Sequence, residues 1–504
     1  MLLIHPPVAK PCEPPAGLAK IAGVLRHHEI PFGMVDINVE GLRALLKPPS
    51  SLSDTWTRRA ARHLSTNLQA LNQWHLYRDI SRYRRAVKDI NRILEVTAQP
   101  FGVRLTLANY QHQQLSPIRS ADLLQAAETP QTNPFYDYFI HRLTPVIEEQ
   151  RPSLIGLSLN YLSQALTTFA IVGFIKKSWP AIPIILGGSL VTSWMSSPDW
   201  HNPFGNLIDH MVAGPGEKPL LSILGMEGAT HDVIPDYDAF PVDSYMAPGL
   251  VLPYSASTGC YWNRCVFCPE RAEDREYHPL PAERVQRELE GLTGNNRPTL
   301  LHLSDNAVSP ALLTAFADVP PGVPWYGFAR ISKQLTDIDF CRNLKQSGCV
   351  MLKLGIESGD QRVLDSLDKG FELHTASQVL KNLREAGIAT YIYLLFGTPA
   401  ETHDEALKTL EFTVQHRHEI GFLNLAIFNM PAYGEDAQRL KTADFYRGDL
   451  SLYRNFSHPQ GWDRQRVRQF LDREFKRNSA VSAILNREPP IFTSNHAPFF
   501  AMTA

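Results

Sequence analysis

Short apolar runs alternate with stretches of helical spacing along most of the chain. Leu2 to His5 is one such run; Pro6 and Pro7 end it, Ala16 to His28 carries apolar side chains at helical spacing, and Gly33 to Ile37 is apolar again. Runs this short, without polar alternation, suit strands buried on both faces, as in a parallel sheet. The opening is therefore a βαβ unit. From about Glu40 to Leu143 the pattern changes to a polar and aromatic stretch. Helical periodicity runs from Trp56 to Leu94, with cations at Arg58, Arg59, Arg62, Arg78, Arg82, Arg84, Arg85, Lys88 and Arg92. It reads as a helical insertion whose basic residues form either a solvated face or a docking surface for a reductase or acidic peptide. The α/β pattern resumes with strands at Ser153 to Leu159, Ile182 to Leu186 and His210 to Ala213, and a helix at Ala165 to Lys177.

Pro235, Asp236, Tyr237, Asp238 and Pro241 mark a linker. A second β/α series follows, with strands at Val251 to Ser255, Leu300 to Leu303, Trp325 to Phe328, Val350 to Leu354, Thr390 to Phe396 and Phe422 to Ile427, and helices such as Ala282 to Leu292 and Thr375 to Ala386. Six such units predict a partial barrel, smaller than the eight-stranded form. The expected fold class is α/β. Residues 1–226 form a doubly wound, Rossmann-like domain with the insertion at about 40–143, residues 227–248 a linker, 249–430 the barrel, and 431–504 a small, mostly helical region. In that last region Arg464 to Arg477 is an amphipathic helix, and Pro489 to His496 either closes the open side of the barrel or packs on its surface.

A chain of 504 residues exceeds one ordinary core, and 44% hydrophobic with 20% charged residues is globular composition. The net charge of -2 names neither nucleic acid nor a membrane surface as partner. The start lacks a basic segment followed by a long apolar one, and no run approaches the ~18 apolar residues of a spanning helix. A cytoplasmic protein is expected.

Six cysteines are too few for a disulfide framework. Cys12, Cys341 and Cys349 are scattered, the last two expected as buried apolar side chains. Cys260, Cys265 and Cys268 stand together as C-x4-C-x2-C just past the first barrel strand. Soft thiolates select zinc, copper or iron-sulfur, and three ligands to a four-iron cubane leave one iron open. A structural zinc site requires a fourth Cys or His. His278 lies in a charged segment beyond the loop without motif-like spacing. Iron-sulfur, zinc and unliganded thiols all stay open on this evidence.

The segment STGCYWNRCVFC resembles the cluster loop of the radical S-adenosylmethionine (SAM) superfamily, with four rather than three residues between the first two cysteines and an aromatic, Phe267, before the last. The resemblance implies a [4Fe-4S] cluster on a partial (βα)6 barrel, an open iron that chelates SAM, and reductive cleavage to a 5'-deoxyadenosyl radical. Leu354-Gly355-Ile356-Glu357-Ser358-Gly359, with Lys369-Gly370 beyond it, resembles the family's SAM-contacting segment after the fourth strand. Gly397-Thr398-Pro399-Ala400-Glu401-Thr402 resembles its Gly-x-Pro-x-Glu-Thr stretch, with Thr398 the departure. Phe267, Asp305, Arg330, Glu357, Ser358, Gly397 and Pro399 are the implied SAM contacts. Three of them have plainer alternatives: Glu357 as a helix cap, Arg330 as a surface cation, and Asp305, with Asn306 beside it, as a turn residue.

An α/β domain preceding this barrel resembles the cobalamin-binding class of the superfamily. His5, Pro6, Pro7, Ser158, Gly187, Gly188, Ser189, Gly214, Gly216 and Glu217 are the implied cobalamin contacts, although the glycines equally suit tight turns. The Asp-x-His-x-x-Gly motif that supplies a histidine to cobalt elsewhere is absent. The resemblance implies methylation of an unactivated carbon on a small-molecule or peptide substrate, with flavodoxin or ferredoxin as electron donor. A radical SAM enzyme with an empty first domain, and a non-catalytic metal-binding module, are the alternatives.

Overall fold

The computed structural model describes residues 1–48, 54–226, 228, 233–444, 447–489 and 496–501. Among them the chain divides into two compact units. One covers Met1–Leu250 and residues 447–452; the other covers residues 251–444, 453–489 and 496–501.

In the first unit β1 (Leu2–His5), β2 (Gly33–Asp36), β3 (Ile155–Ser158), β4 (Ile184–Gly187) and β5 (His210–Met211) form a parallel sheet in the order β2-β1-β3-β4-β5. All four residues of β1 are buried. The order places a topological switch point between β1 and β3, where crossovers diverge and open α/β sheets bind ligands. The helix Leu162–Ser178 after β3 is apolar around most of its circumference. It needs to be, because the insertion covers its far side: helix Ser120–Glu128 crosses it so closely that a Cβ on Gly173 would overlap the Ala127 carbonyl.

The insertion is built on the helices Thr55–Leu71 and Ile80–Ala98, capped by Asp54 and Asp79 respectively. It also contains a hairpin, Val103–Leu105 with Tyr110–His112, which the helical reading did not include. Strands of three residues are too short for their alternation to stand out from the sequence around them. Part of the basic series is paired internally, Arg59 with buried Asp89 at 2.6 Å and Arg92 with Asp54 at 2.9 Å. The segment read as a linker is fastened to the first unit: Asp236 binds Arg26, and the Tyr245 hydroxyl donates to Asp36 at 2.6 Å.

In the second unit β6 (Val251–Tyr254), β7 (Leu300–Leu303), β8 (Trp325–Ala329), β9 (Cys349–Glu357), β10 (Ala389–Phe396) and β11 (Phe422–Ile427) form a six-stranded parallel sheet in sequence order. Side chains of strands that are not neighbours meet on one face. Lys353 Nζ of β9 is 3.2 Å from His302 Nε2 of β7, and the rings of Phe328 (β8) and Tyr393 (β10) are 5.0 Å apart. The sheet is therefore curled. Its convex face, with Leu303, Trp325, Leu352 and Ile392, is buried. Cys341 and Cys349 are buried as expected. The region after β11 is not simply helical: Met430–Pro431, Thr442–Asp444 and Tyr453–Phe456 form a small antiparallel sheet, beside the helices Arg464–Phe470 and Ser479–Leu485. Pro490 to Asn495 of the aromatic tail lie outside the described residues, and His496 is buried against the rings of Tyr391 and Phe422.

Candidate functional site

The cluster-type loop leaves β6 and is closed at its base by a short ladder, Thr258 opposite His278 and Ser257 opposite Pro279. Gly259 has φ +72°, and a Cβ there would overlap the Glu276 carbonyl, so only glycine makes this turn. Asp305, past β7, braces the loop by accepting from Ser257 Oγ at 2.5 Å and Ala256 N at 3.1 Å. Asn306 Nδ2 donates to Gly259 O at 3.3 Å. Burial pushes the Cys268 thiol up to about 11, so binding a metal there is coupled to loss of its proton.

The second wall is the turn after the helix Gln361–Ser366. Trp262 Nε1 donates to Asp368 O at 2.8 Å, and Arg264 pairs with the Asp368 carboxylate at 3.1 Å. Gly370, φ +69°, lies against Trp262 with no room for a Cβ. Arg330, past the end of β8, directs Nη1 at Cys265 Sγ (3.5 Å), donates Nη2 to Lys369 O and stacks on Trp262. Lys369 Nζ binds Glu357 Oε1 at 3.1 Å, both side chains being largely buried. Glu357 follows a register shift at the end of β9 and has φ +70°. Phe267 packs on the apolar group of Leu395, Phe428 and Met430.

Cys265, Phe267, Arg330 and Glu357 are thus linked through Trp262 and Lys369, whose pairings with Arg330 and Glu357 no local sequence signal gives. Asp305 holds the base of the loop. Ser358 is directed to Thr409 Oγ1 at 3.3 Å, and Asp360 caps the following helix. At the end of β10 Gly397 (φ +81°) donates its N–H to Glu401 Oε2, which also accepts from Trp462 Nε1 at 3.0 Å. Thr398 beside Pro399 is buried, and burial pushes Glu401 up to about 7. Only Trp462, over sixty positions from the motif, completes that arrangement, and no local signal points to it.

His278 is exposed and faces Glu276 at 3.2 Å, so it adds no ligand to the cysteines. Among the described residues no three His, Cys, Asp or Glu side chains surround a single ion position. Three thiols on one loop, with no fourth Cys or His beside them, fit a cubane that gives each thiolate its own iron.

In the first unit every implied cobalamin contact stands at the carboxyl edge of the sheet. His5 ends β1, Ser158 ends β3, Gly187 to Ser189 follow β4, and Gly214, Gly216 and Glu217 follow β5. The His5-Pro6-Pro7 turn is clamped by Gln164 Nε2, which donates to Pro6 O at 2.6 Å. Gly188 has φ +112° and presses on the Leu159 backbone, bringing the loops after β3 and β4 together. His5 is buried with Nδ1 unpartnered among the described residues, and burial holds its pKa below the ordinary range. At the switch point Tyr161 and Leu162 are 50% and 37% exposed, apolar surface where an open sheet takes a ligand. A flat, largely apolar macrocycle suits that edge.

No family model matches the chain. Over 310 residues it is 22% identical to an uncharacterized methyltransferase of Pyrococcus horikoshii, covering 54% of this chain and 66% of that protein. It is 28% identical over 184 residues to cytidylyl-2-hydroxyethylphosphonate methyltransferase of Streptomyces wedmorensis, a third of each chain (33%). The chain thus spans about two thirds of the first relative and a third of the second. Among solved structures it superposes on the radical SAM methyltransferase TsrM of Kitasatospora setae, with cobalamin and a [4Fe-4S] cluster bound, at TM-score 0.52, 15% identity, 89% of this chain and 81% of that one. The chain has the fold of TsrM. A second TsrM structure, with tryptophan and a SAM analogue, matches at TM-score 0.50 and 15% identity over 86% of this chain and 74% of that one. At this identity the likeness is one of fold; the cysteine loop and the carboxyl edges of the sheets are features of this chain itself.

Proposed function

We propose that the chain is a cobalamin-dependent radical SAM methyltransferase that methylates an unactivated carbon of a small-molecule or peptide substrate, in the cytoplasm, with flavodoxin or ferredoxin as electron donor. The observation that carries this is the C-x4-C-x2-C loop at the carboxyl end of β6, three thiols without a fourth Cys or His among the described residues, in a chain whose first unit is a doubly wound sheet. Among the described residues no helix is long and apolar enough to cross a membrane.

Cys260, Cys265 and Cys268 would hold the cluster, with Arg330 directed at Cys265, and Phe267, Asp305, Glu357, Ser358, Gly397 and Pro399 would border SAM. His5, Pro6, Pro7, Ser158, the turns at Gly187 to Ser189 and Gly214 to Glu217, and the apolar surface of Tyr161 and Leu162 would border cobalamin. When bound, cluster and SAM supply a carbon-centred radical and cobalamin a transferable methyl group; the protein supplies position and a dry site. Gly259 and Asp305 fix the loop. Phe267, with Leu395, Phe428 and Met430, excludes water from one side of it. Lys369 neutralises Glu357 there, and Glu401 holds Gly397 by its N–H.

The test is anaerobic reconstitution with iron, sulfide and hydroxocobalamin, followed by measurement of bound corrinoid and of 5'-deoxyadenosine formed from SAM under reduction. Stoichiometric corrinoid with SAM cleavage that vanishes in the Cys260→Ala/Cys265→Ala/Cys268→Ala variant is expected. Cleavage without corrinoid removes cobalamin from the reading, and no cleavage sinks it.

A further inference from the structure

From its position past β8 Arg330 is a candidate partner for the carboxylate of SAM. Its guanidinium is engaged elsewhere. Nη1 points at Cys265 Sγ across 3.5 Å, Nη2 donates to Lys369 O, and the flat face covers the Trp262 ring at 4.4 Å from its centroid. Trp262 is itself immobilised: its Nε1 bonds Asp368 O at 2.8 Å, Arg264 stacks on it at 4.9 Å, and Gly370 abuts it with no space for a Cβ. These contacts use a fork of donors and a planar cationic face together, which arginine has and lysine lacks.

The charges around the loop add a second argument. Lys369 is paired with Glu357 at 3.1 Å and Arg264 with Asp368 at 3.1 Å. Among the described residues no salt bridge joins a carboxylate to Arg330, and its charge sits at a cluster-loop sulfur.

We propose that Arg330 is a positioning residue of the cluster rather than a SAM ligand: it donates an N–H···S bond to the Cys265 thiolate and raises the potential at which the cluster accepts an electron. The inference rests on the reading that the three cysteines hold a [4Fe-4S] cluster. Reduction adds one negative charge from an external low-potential donor, with no bond made or broken. Hydrogen bonds to cluster sulfurs and nearby positive charge favour the more negative, reduced state. Trp262 covers one face of the guanidinium and keeps water from screening its charge.

The test is a redox titration of the reconstituted full chain, followed by electron paramagnetic resonance of the reduced cluster, on wild type, Arg330→Gln, Arg330→Lys and Trp262→Phe, with iron, sulfide and SAM affinity measured in each. Arg330→Gln is expected to keep its iron, to bind SAM within about twofold of wild type, and to hold about tenfold less reduced cluster at a fixed ambient potential, a downward shift of about 59 mV for one electron. Arg330→Lys, which keeps the charge but not the fork, falls between the two, and Trp262→Phe shifts the same way by less. Wild-type potentials in both Arg330 variants overturn the proposal, as does a tenfold loss of SAM affinity at unchanged potential. Should Arg330→Gln lose iron, the Arg330→Lys and Trp262→Phe potentials decide in the same way. A wild-type chain that takes up no cluster instead removes the cysteine reading beneath it.

Discussion

Replacing Glu401 by glutamine should stabilise the protein at alkaline pH and leave it nearly unchanged in mild acid. The carboxyl is fully buried; Oε2 accepts from Gly397 N and Trp462 Nε1, while Oε1 has no partner among the described residues. Burial moves its pKa from the ordinary 4.5 to about 7, so the folded chain keeps a proton that the unfolded chain has released across that interval. A folded pKa above the unfolded one means stability present at low pH and lost as pH rises from 4.5 through about 7, then level. At about 1.4 kcal/mol for each factor of ten in proton affinity, the loss totals about 3 kcal/mol. Glutamine has the shape of the protonated acid, keeps one oxygen for Gly397 and Trp462, and never ionises. Urea denaturation of wild type and Glu401→Gln, followed at several pH values from about 4 to 8, should therefore give curves that nearly coincide at the acid end. The variant should be up to about 3 kcal/mol more stable at the alkaline end. The difference between the two proteins cancels other groups that titrate in the window, such as Glu488, also pushed up to about 7 by burial. A difference that does not change with pH, or a variant less stable throughout, would refute the reasoning.

Three further outcomes are expected. Gly370→Ala forces a Cβ into Trp262 at a residue with φ +69° and should lower stability by about 1–3 kcal/mol and reduce iron retained after reconstitution; unchanged iron content would mean the turn does not brace the loop. Tyr161→Ala combined with Leu162→Ala removes the apolar surface at the switch point and should weaken hydroxocobalamin binding in equilibrium dialysis by about tenfold or more; full affinity would place a corrinoid elsewhere. Gly173→Val drives a side chain into the Ala127 backbone and should cost about 2–4 kcal/mol in urea denaturation, with near-neutral behaviour arguing against the tight crossing of the two helices.

The strands were legible where both faces are buried. Leu300 to Leu303 and Phe422 to Ile427 coincide with the observed elements, and Leu2 to His5 does too. β9 was read short, because beyond Leu354 it carries Gly355 and Glu357, residues that break an apolar run while remaining in the ladder with β10. The hairpin of the insertion and the sheet after β11 were illegible for the opposite reason: their strands are two to four residues long, too short for an alternation to stand out. The cysteine loop could be read because its three ligands are local. Glu401 with Trp462, Arg330 with Cys265, and Trp262 with Gly370 join residues that only the fold brings together, and sequence spacing carries no trace of such pairings.

What the long-range contacts add is a charge arrangement. An anionic cluster in a partly buried site is tolerated when a fixed positive charge compensates it, because the attraction then offsets the desolvation. Beside Trp262 two ion pairs cancel, Lys369 with Glu357 and Arg264 with Asp368, each at 3.1 Å. That leaves Arg330, held by a stacked indole and a backbone carbonyl against Cys265. A lysine at Arg330 would keep the charge yet lose the stack and the fork, and an acid anywhere in its reach would cancel it. The positive charge is therefore located by the turn at 368–370, which supplies Asp368 O to Trp262, Lys369 O to Arg330 and room for the indole at Gly370. Substitutions in that turn should alter the loop's electrostatics without touching any cysteine.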